Sequence, residues 1–363
     1  MKRLLLLLFV LVAVAAAAGA WWMWTEVHAP FKGFSGAEQF VEIPSGAGNR
    51  AIASRLVEAD VVRDSLTFRA AIQWSGAGRK LKAGEYRFDR QMTPLEVIDK
   101  IARGDVYVVA ITFPEGLNIV EMSKVFEAHG FGTAASFVEA AKDVKPIREL
   151  DPAATDLEGY LFPETYAVPR KTDAPKLVHL MVAQFQKAFT PELRAQIAAR
   201  HLPVRAVVTL ASIVEKETAK AEERPLVASV YENRLRVGML LQCDPTVIYA
   251  LERAGRYHGN IHKDDLQIDS PYNTYRFAGL PPGPIASPGK ASLAAAVTPA
   301  DADYLYFVSR NDGSHEFAKT LAEHNRNVQK YQVQYFREKR REQAGAAGRA
   351  GAAGRTGRGG QQP

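Results

Sequence analysis

The sequence predicts an α+β protein carried on an N-terminal transmembrane helix, and three observations predict it. Residues Leu4 to Trp24 form one apolar run. Short strand-like segments closed by Gly turns recur between Phe40 and Lys142. Beyond residue 150, apolar residues recur at helical spacing between loops rich in Pro and Gly.

Composition sets the limits. The chain has 363 residues, 47% of them hydrophobic, enough for two or three domains with real cores. Its formal charge is +6, yet much of the excess lies at the N-terminus and from Arg337 to Arg358, so the folded body lacks the basic face that nucleic-acid binding needs. The single cysteine, Cys243, rules out an intramolecular disulfide and a cysteine-based zinc site, and reads as a small semi-buried residue. No Gly-rich phosphate loop sits on a strand-to-helix turn. His258, His262, Asp264 and Asp265 lack a third ligand at metal spacing, so neither cofactor nor metal is expected.

Residues 1–3 form a short basic N-terminus, and 4–24 are long enough to cross a hydrocarbon core of roughly 30 Å. Lys2 and Arg3 predict a cytoplasmic N-terminus, with all that follows Trp24 on the far side of the membrane. The A-x-A patterns between Ala15 and Ala20 allow a cleaved signal peptide. Trp21, Trp22 and Trp24 favour a retained anchor, because aromatic rings prefer the membrane interface. Residues 40–145 form an αβ region with a weak repeat, whose units open at Ile43-Pro44-Ser45-Gly46 and Phe113-Pro114-Glu115-Gly116; Glu58-Ala59 matches Glu127-Ala128. Each unit reads as a strand, a Gly turn and two amphipathic helices. Leu81 to Phe88 alternates as a strand does, and Thr93-Pro94-Leu95 starts a helix through Ile101. Such a region is either a binding module or a spacer.

Residues 150–341 read as a mixed α/β domain. Leu157 to Arg170 is too rich in Pro for a helix and carries Glu158, Tyr160, Glu164 and Tyr166. Aromatic faces with interspersed carboxylates suit sugars, and they also occur in packed loops. Ala174 to Arg200 reads as amphipathic helix with a restart at Thr190-Pro191-Glu192.

The stretch from Arg205 to Lys220 is the focus. At about 100° per residue Val207, Leu210, Ala211 and Val214 share one stripe, which Glu217 and Thr218 extend by a turn; Glu215 points away, and the Ser212–Lys216 side reads as solvated. A carboxyl that prolongs an apolar stripe is desolvated and its pKa raised, as a general acid near neutral pH requires. The same pattern describes two glutamates at a fraying helix end, paired with Lys216, Lys220 or Arg224.

Glu222 to Val237 then continues helically, with Arg224, Arg234 and Arg236 as counter-ions. Gln242-Cys243-Asp244-Pro245-Thr246 restarts a helix, with Asp244 read as its N-cap in preference to a second site carboxylate. Ser270 to Lys290 is a loop of a length that is usually functional, and its Tyr272, Asn273 and Tyr275 offer hydroxyl and amide groups to a sugar. Tyr304 to Ser309 reads as a strand, Phe317 to Arg341 as a helix, and 342–363 as a disordered Gly/Ala/Arg tail.

Several of these segments together resemble the YceG-like family of endolytic murein transglycosylases. The resemblance rests on EGYLFPETY from Glu158, ASIVEKETA from Ala211, RLRVGMLLQCDPTVIYAL from Arg234, YNTY from Tyr272, GLPPGPIASPG from Gly279, LYFV from Leu305 and EHN from Glu323. Cys243 departs from it, standing where Thr or Ser is expected, and the Gly/Arg tail lies outside its pattern. The resemblance implies a single-pass protein of the cytoplasmic (inner) membrane that faces the periplasm. It also implies a LysM-like region at 40–145 and a catalytic domain with lysozyme-like features around its glutamate.

The implied activity is cleavage of the bond between N-acetylmuramic acid and N-acetylglucosamine inside peptidoglycan strands, without water, leaving 1,6-anhydro ends. Coupling to peptidoglycan synthases (penicillin-binding proteins), and so termination of nascent strands, is implied as well. The family's catalytic glutamate falls on Glu217. Glu158, Tyr160, Glu164, Tyr166, Glu215, Gln242, Asp244, Tyr272, Asn273 and Tyr275 are the candidates for substrate binding. Two alternatives stand beside this reading. One is a muramidase that uses a second carboxylate, from Asp244, Glu215, Glu158 or Glu164; the other is a wall-binding scaffold without catalysis.

Overall fold

The apolar run folds as helix α1 (Lys2–His28) in a computed structural model that describes residues 2–341 and Gln343. The expected disordered tail at 342–363 otherwise lies outside the described residues. Among the described residues α1 is the one helix long and apolar enough to cross a membrane unaided. The chain divides into two compact units, the first made of residues up to Ala110 with Tyr166–Thr172, the second of Ile111–Thr165 and the chain from Asp173 onward.

In the first unit, strand β1 (Gln39–Ile43) is followed by helices α2 (Asn49–Glu58) and α3 (Ser65–Ser75), strand β2 (Gly84–Phe88) and helix α4 (Pro94–Arg103). β1 and β2 pair antiparallel, Gln39 opposite Phe88 and Ile43 opposite Gly84. Their alternation turns Val41, Ile43, Tyr86 and Phe88 toward Leu56, Phe68, Ile98 and Ile101 in one core. α4 starts where the sequence says it should: Thr93 and Glu96 form a reciprocal capping box and Pro94 takes the first helical position. Gly84 has φ +147°, and a Cβ there would lie 2.3 Å from Val106 Cγ1, so the strand can begin only with glycine.

Strand β3 (Val108–Thr112) and helices α5 (Ile119–Ala128) and α6 (Ala134–Ala140) repeat the order of β1, α2 and α3, and β3 pairs with β4 (Thr165–Pro169). The repeat is therefore real as element order, but the division between the units runs through β3, so the helices of the second copy fall in the second unit. The reason is packing: Phe126 and Phe137 (5.3 Å between rings) and Phe113 (6.1 Å from Phe137) cluster in the second unit, where α6 meets α7 (Ala174–Ala188).

The second unit continues through α8 (Pro191–Ala199), α9 (Val204–Glu217), α10 (Arg224–Arg236), α11 (Asp244–Arg253), α12 (Lys290–Val297), β5 (Tyr306–Ser309), β6 (His315–Ala318) and α13 (Leu321–Val328). α9 is the central element, packed against α10, α11 and α12. Two helix boundaries differ from expectation. The chain does not run helically from Arg205 to Val237, because Thr218 is extended (φ −141°, ψ 132°) and breaks it. Phe317 belongs to a strand, not a helix, since β6 pairs with β5 and sets Phe317 opposite Phe307.

Candidate active site

Eight consecutive residues of α9, Val207 to Val214, are buried. The side expected to be solvated is not. Ser212 is fully buried and donates to Thr209 O while accepting from Ile285 N. Glu215, expected to point outward, has a side chain only 5% exposed: Arg224 donates to one of its oxygens (2.7 Å) and Gly289 N to the other (2.9 Å). The helical projection placed these residues correctly around the axis, but α12 and the Pro-rich loop before it cover the side that a lone amphipathic helix would leave in water.

Glu217 is the last helical residue of α9. Thr218 turns away and is held by Glu223, whose carboxylate accepts from Thr218 Oγ1 (3.3 Å), from His315 N (3.0 Å) and shares a 2.7 Å bond with His315 Nδ1. Burial pulls the Glu223 pKa upward, but the bonds from His315 and Thr218 outweigh it and hold the carboxylate low. The helix end is thus fixed by the bonds that Glu223 makes to Thr218 and His315, and Glu217 is left at the brink of a cavity of about 300 Å³.

Besides Glu217 of α9, several elements line that cavity. α10 contributes Tyr231 and Arg234, the connection into α11 contributes Leu241 and Gln242, the first residue of α11 Asp244, the following loop Tyr275, β5 Phe307 and α13 His324. Glu217 Oε1 accepts two bonds, from the Tyr231 hydroxyl (2.7 Å) and the Cys243 thiol (3.1 Å). Among the described residues no donor reaches Oε2. Burial raises the Glu217 pKa, the two donors pull it back in part, and the Asp244 charge raises it again. Its place at a helix C-terminus acts in the same sense, because the negative end of the helix dipole disfavours a carboxylate. With Oε1 filled as an acceptor, the proton of the acid form belongs on Oε2.

The QCDPT segment is built around Thr274. Its carbonyl accepts from Gln242 N (3.1 Å), its hydroxyl accepts from Cys243 N (3.0 Å) and bonds Thr246 Oγ1 (2.8 Å). Gln242 adopts φ +50°, a conformation rare for a non-glycine residue and held here by these contacts. Asp244 is not the N-cap that the sequence suggested. Cys243 occupies that position, and Asp244 is the first helical residue, its Oδ1 taking the Tyr275 hydroxyl (2.5 Å) beside Glu217. Arg234 is no counter-ion either: it donates to Leu305 O and Leu241 O and so locks the cavity wall.

The remaining candidates lie elsewhere. Tyr160 and Tyr166 are 1% and 9% exposed, so the expected aromatic sugar face is interior packing; the Tyr160 hydroxyl is spent on Asp151 (2.7 Å). Glu164 is exposed at the edge of β4. Asn273 is fully buried and its amide ties Leu266 O and Ile268 O, a loop brace that cannot reach a ligand. Tyr272 packs against Tyr249 with ring centroids 5.0 Å apart.

Glu158 faces a second, larger cavity of about 560 Å³, which carries no other candidate from the sequence. Both its oxygens accept from Ile119 N, the first residue of α5, and one also takes the Tyr249 hydroxyl. Burial pushes its pKa up to about 8.

Tyr231, Cys243, Thr274 and His324 are site residues that the sequence reading passed over. Thr274 lies inside the YNTY segment and Cys243 inside QCDPT, so the signal was present; Tyr231 is one tyrosine in an ordinary helix and gave none. Among the described residues no group of three or more His, Cys, Asp or Glu is placed to hold a metal ion.

Comparison with known proteins gives one answer. The profile of the YceG-like family matches residues 41–330. An endolytic murein transglycosylase of Bacillus subtilis is 34% identical over 307 residues, covering 80% of this chain and 84% of that protein. One of Streptococcus pneumoniae is 30% identical over 319 residues; the match covers 79% of this chain and 57% of that longer protein. A crystal structure of a yceG-like protein from Listeria monocytogenes aligns with a TM-score of 0.55 at 30% identity, over 80% of this chain and 98% of that one.

Proposed function

The chain belongs to the YceG-like family, and on that premise we propose that it is an endolytic murein transglycosylase anchored by α1, with Glu217 as its acid. It is a lyase that cuts the glycan strands of peptidoglycan. The observation that carries the assignment of Glu217 is its setting: a carboxyl with its pKa raised by burial, one oxygen filled by two donors and the other free, on a cavity wall.

In this reading Oε2 of protonated Glu217 gives its proton to the glycosidic oxygen between N-acetylmuramic acid and N-acetylglucosamine. The bond to C1 breaks and the N-acetylglucosamine hydroxyl leaves. The positive charge that develops at C1 is balanced by the Asp244 carboxylate and by the substrate's N-acetyl group. The Glu217 carboxylate then takes the proton of the muramic C6 hydroxyl as that oxygen closes on C1. A 1,6-anhydro end results, the acid is regenerated and no water is consumed. Tyr231 and Cys243 hold the carboxyl and stabilise it in the step where it is charged. Gln242 and Tyr275 orient the sugar.

α1 would hold the enzyme in the cytoplasmic membrane, with its folded part in the periplasm, where the 40–145 region serves as a LysM-like contact to glycan and the chain ends strands made by nearby synthases. A hydrolytic reading deserves its own test because Asp244 shares the cavity with Glu217, and paired carboxylates are the equipment of glycoside hydrolases. Mass spectrometry of sacculi digested by the full-length protein decides. Anhydro ends, one water lighter than reducing ends and absent with Glu217→Gln, are the expected result; reducing ends assign a muramidase, and intact strands with retained binding assign a scaffold.

A further inference from the structure

We propose that α3 lies flat in the headgroup layer of the bilayer that α1 spans, with Trp74 and Leu66 inserted there, so that the first unit is seated on a lipid surface and not tethered above it. This rests on α1 as a membrane span and on nothing in the catalytic reading.

α1 does not end in a linker. Val27 is fully buried and Met23 packs against the same core, so the last turns of the helix belong to the interior of the first unit. Arg63, just before α3, pairs with Glu26 (3.3 Å). Trp74, at the far end of α3, meets His28 edge to face (6.2 Å between centroids). The segment from Arg63 to Trp74, whose helical part α3 is about 15 Å long, thus reaches α1 from both its ends within the same turn, between Glu26 and His28. A rod whose ends sit at one height on an upright post runs across that post. With α1 upright in a bilayer, α3 runs in the plane of its surface.

The height fits as well. From Leu4 to Trp24 the helix rises about 30 Å, the thickness of the hydrocarbon core. Four more residues bring His28 about 6 Å further, inside the interfacial layer. There the ring series Trp21, Trp24, His28, Trp74, with centroids 5.7, 4.6 and 6.2 Å apart, carries the aromatic belt of α1 onto α3. Leu66 and Trp74 are 63% and 60% exposed. An indole has an apolar body and a polar N–H, and the headgroup layer is the environment that satisfies both. Arg69, Arg79 and Lys80, all exposed nearby in sequence, offer cations to lipid phosphates.

All four tryptophans of the chain lie in this belt, which makes the test direct. Replacing Trp21, Trp22 and Trp24 by Phe leaves Trp74 as the one indole of the full-length protein. In vesicles of phosphatidylcholine and phosphatidylglycerol, Trp74 emission should be blue-shifted, strongly quenched by lipids brominated near the glycerol end of the acyl chain, and little affected by iodide. Red-shifted emission that iodide quenches in those vesicles overturns the proposal. Protection from iodide only in native membranes overturns it too, and assigns the surface to the membrane helix of a partner protein. If the triple variant fails to insert, Trp74→Phe in the parent answers by difference: bromine-quenchable emission falls if the proposal holds and is unchanged if it does not.

Discussion

Glu217, half-buried, and Glu158, buried, are glutamates on cavities near opposite ends of α11, about 12 Å apart along that helix from Asp244 to Glu252. Each accepts a tyrosine hydroxyl, Glu217 from Tyr231 and Glu158 from Tyr249, and burial raises the pKa of both. They differ in what is left over. Glu158 uses both oxygens on Ile119 N and so braces the first turn of α5, whereas Glu217 places both of its bonds on Oε1. Burial and a raised pKa do not by themselves make an acid catalytic, and neither does the size of the cavity. A free oxygen on a reachable wall separates the two.

The largest expected effect tests that difference directly. Glu217→Gln should lower the rate of anhydro-end formation by roughly 10²–10⁴-fold or more with the fold intact, while Glu158→Gln should leave the rate within a few fold of the parent. A reversal of the two outcomes in the sacculus digestion would break the comparison.

Removing the donor from Oε1 should matter next. Tyr231→Phe is expected to slow the reaction by about tenfold, equivalent to one hydrogen bond of about 1.4 kcal/mol to a carboxylate. Its signature is in the pH profile. Tyr231 lowers the pKa of Glu217 against the larger effect of burial, so without it the pKa rises further and the alkaline limb of the rate moves to higher pH. Cys243→Ser, a stronger donor, should move that limb to lower pH. Limbs that stay in place would show that Oε1 does not set the acidity of Glu217.

Glu158 should be visible in stability instead. Its pKa rises from 4.5 to about 8 on folding, so the folded state holds the extra proton. The stabilisation is complete below pH 4.5 and is lost as pH climbs to about 8, with a slope of up to about 1.4 kcal/mol per pH unit. Urea unfolding of Glu158→Gln should show a correspondingly flatter pH dependence, and an unchanged slope would place the proton elsewhere.

The smallest effect is expected at the cavity rim. Tyr275→Phe frees the Asp244 oxygen it occupies and should change KM by a few fold with little change in the anhydro product. A shift to reducing ends in Asp244→Asn or Tyr275→Phe would instead show that Asp244 also governs whether the C6 hydroxyl or water closes on C1.

Much of this was legible in the chain. The N-terminal apolar helix, the Thr93 helix start, the Gly84–Phe88 part of the expected Leu81–Phe88 strand and the strand-helix-helix order of the repeat are local patterns, set by periodicity and capping within a few residues, and they appear in the fold. The partial burial of Glu217 was legible too, since Val207, Leu210 and Val214 fix its face of the helix. Glu215, Ser212 and Tyr160 were misread for a common reason: their partners come from segments 9 to 74 residues distant, namely Asp151, Arg224, Gly289 and Ile285; Asn273 instead turns inward onto Leu266 and Ile268 of its own loop.

By itself the sequence determined the starts of those helices that carry a local cap, such as Thr93, which residues are apolar enough to form cores, and, through its long ordered motifs, the family. Only the tertiary structure decided which polar groups among those motifs share a cavity. Hydrogen-bond partners across a fold are fixed by packing in three dimensions, so nothing in the order of residues says that Tyr231 and Cys243 meet on one oxygen of Glu217, or that Ile119 closes both oxygens of Glu158.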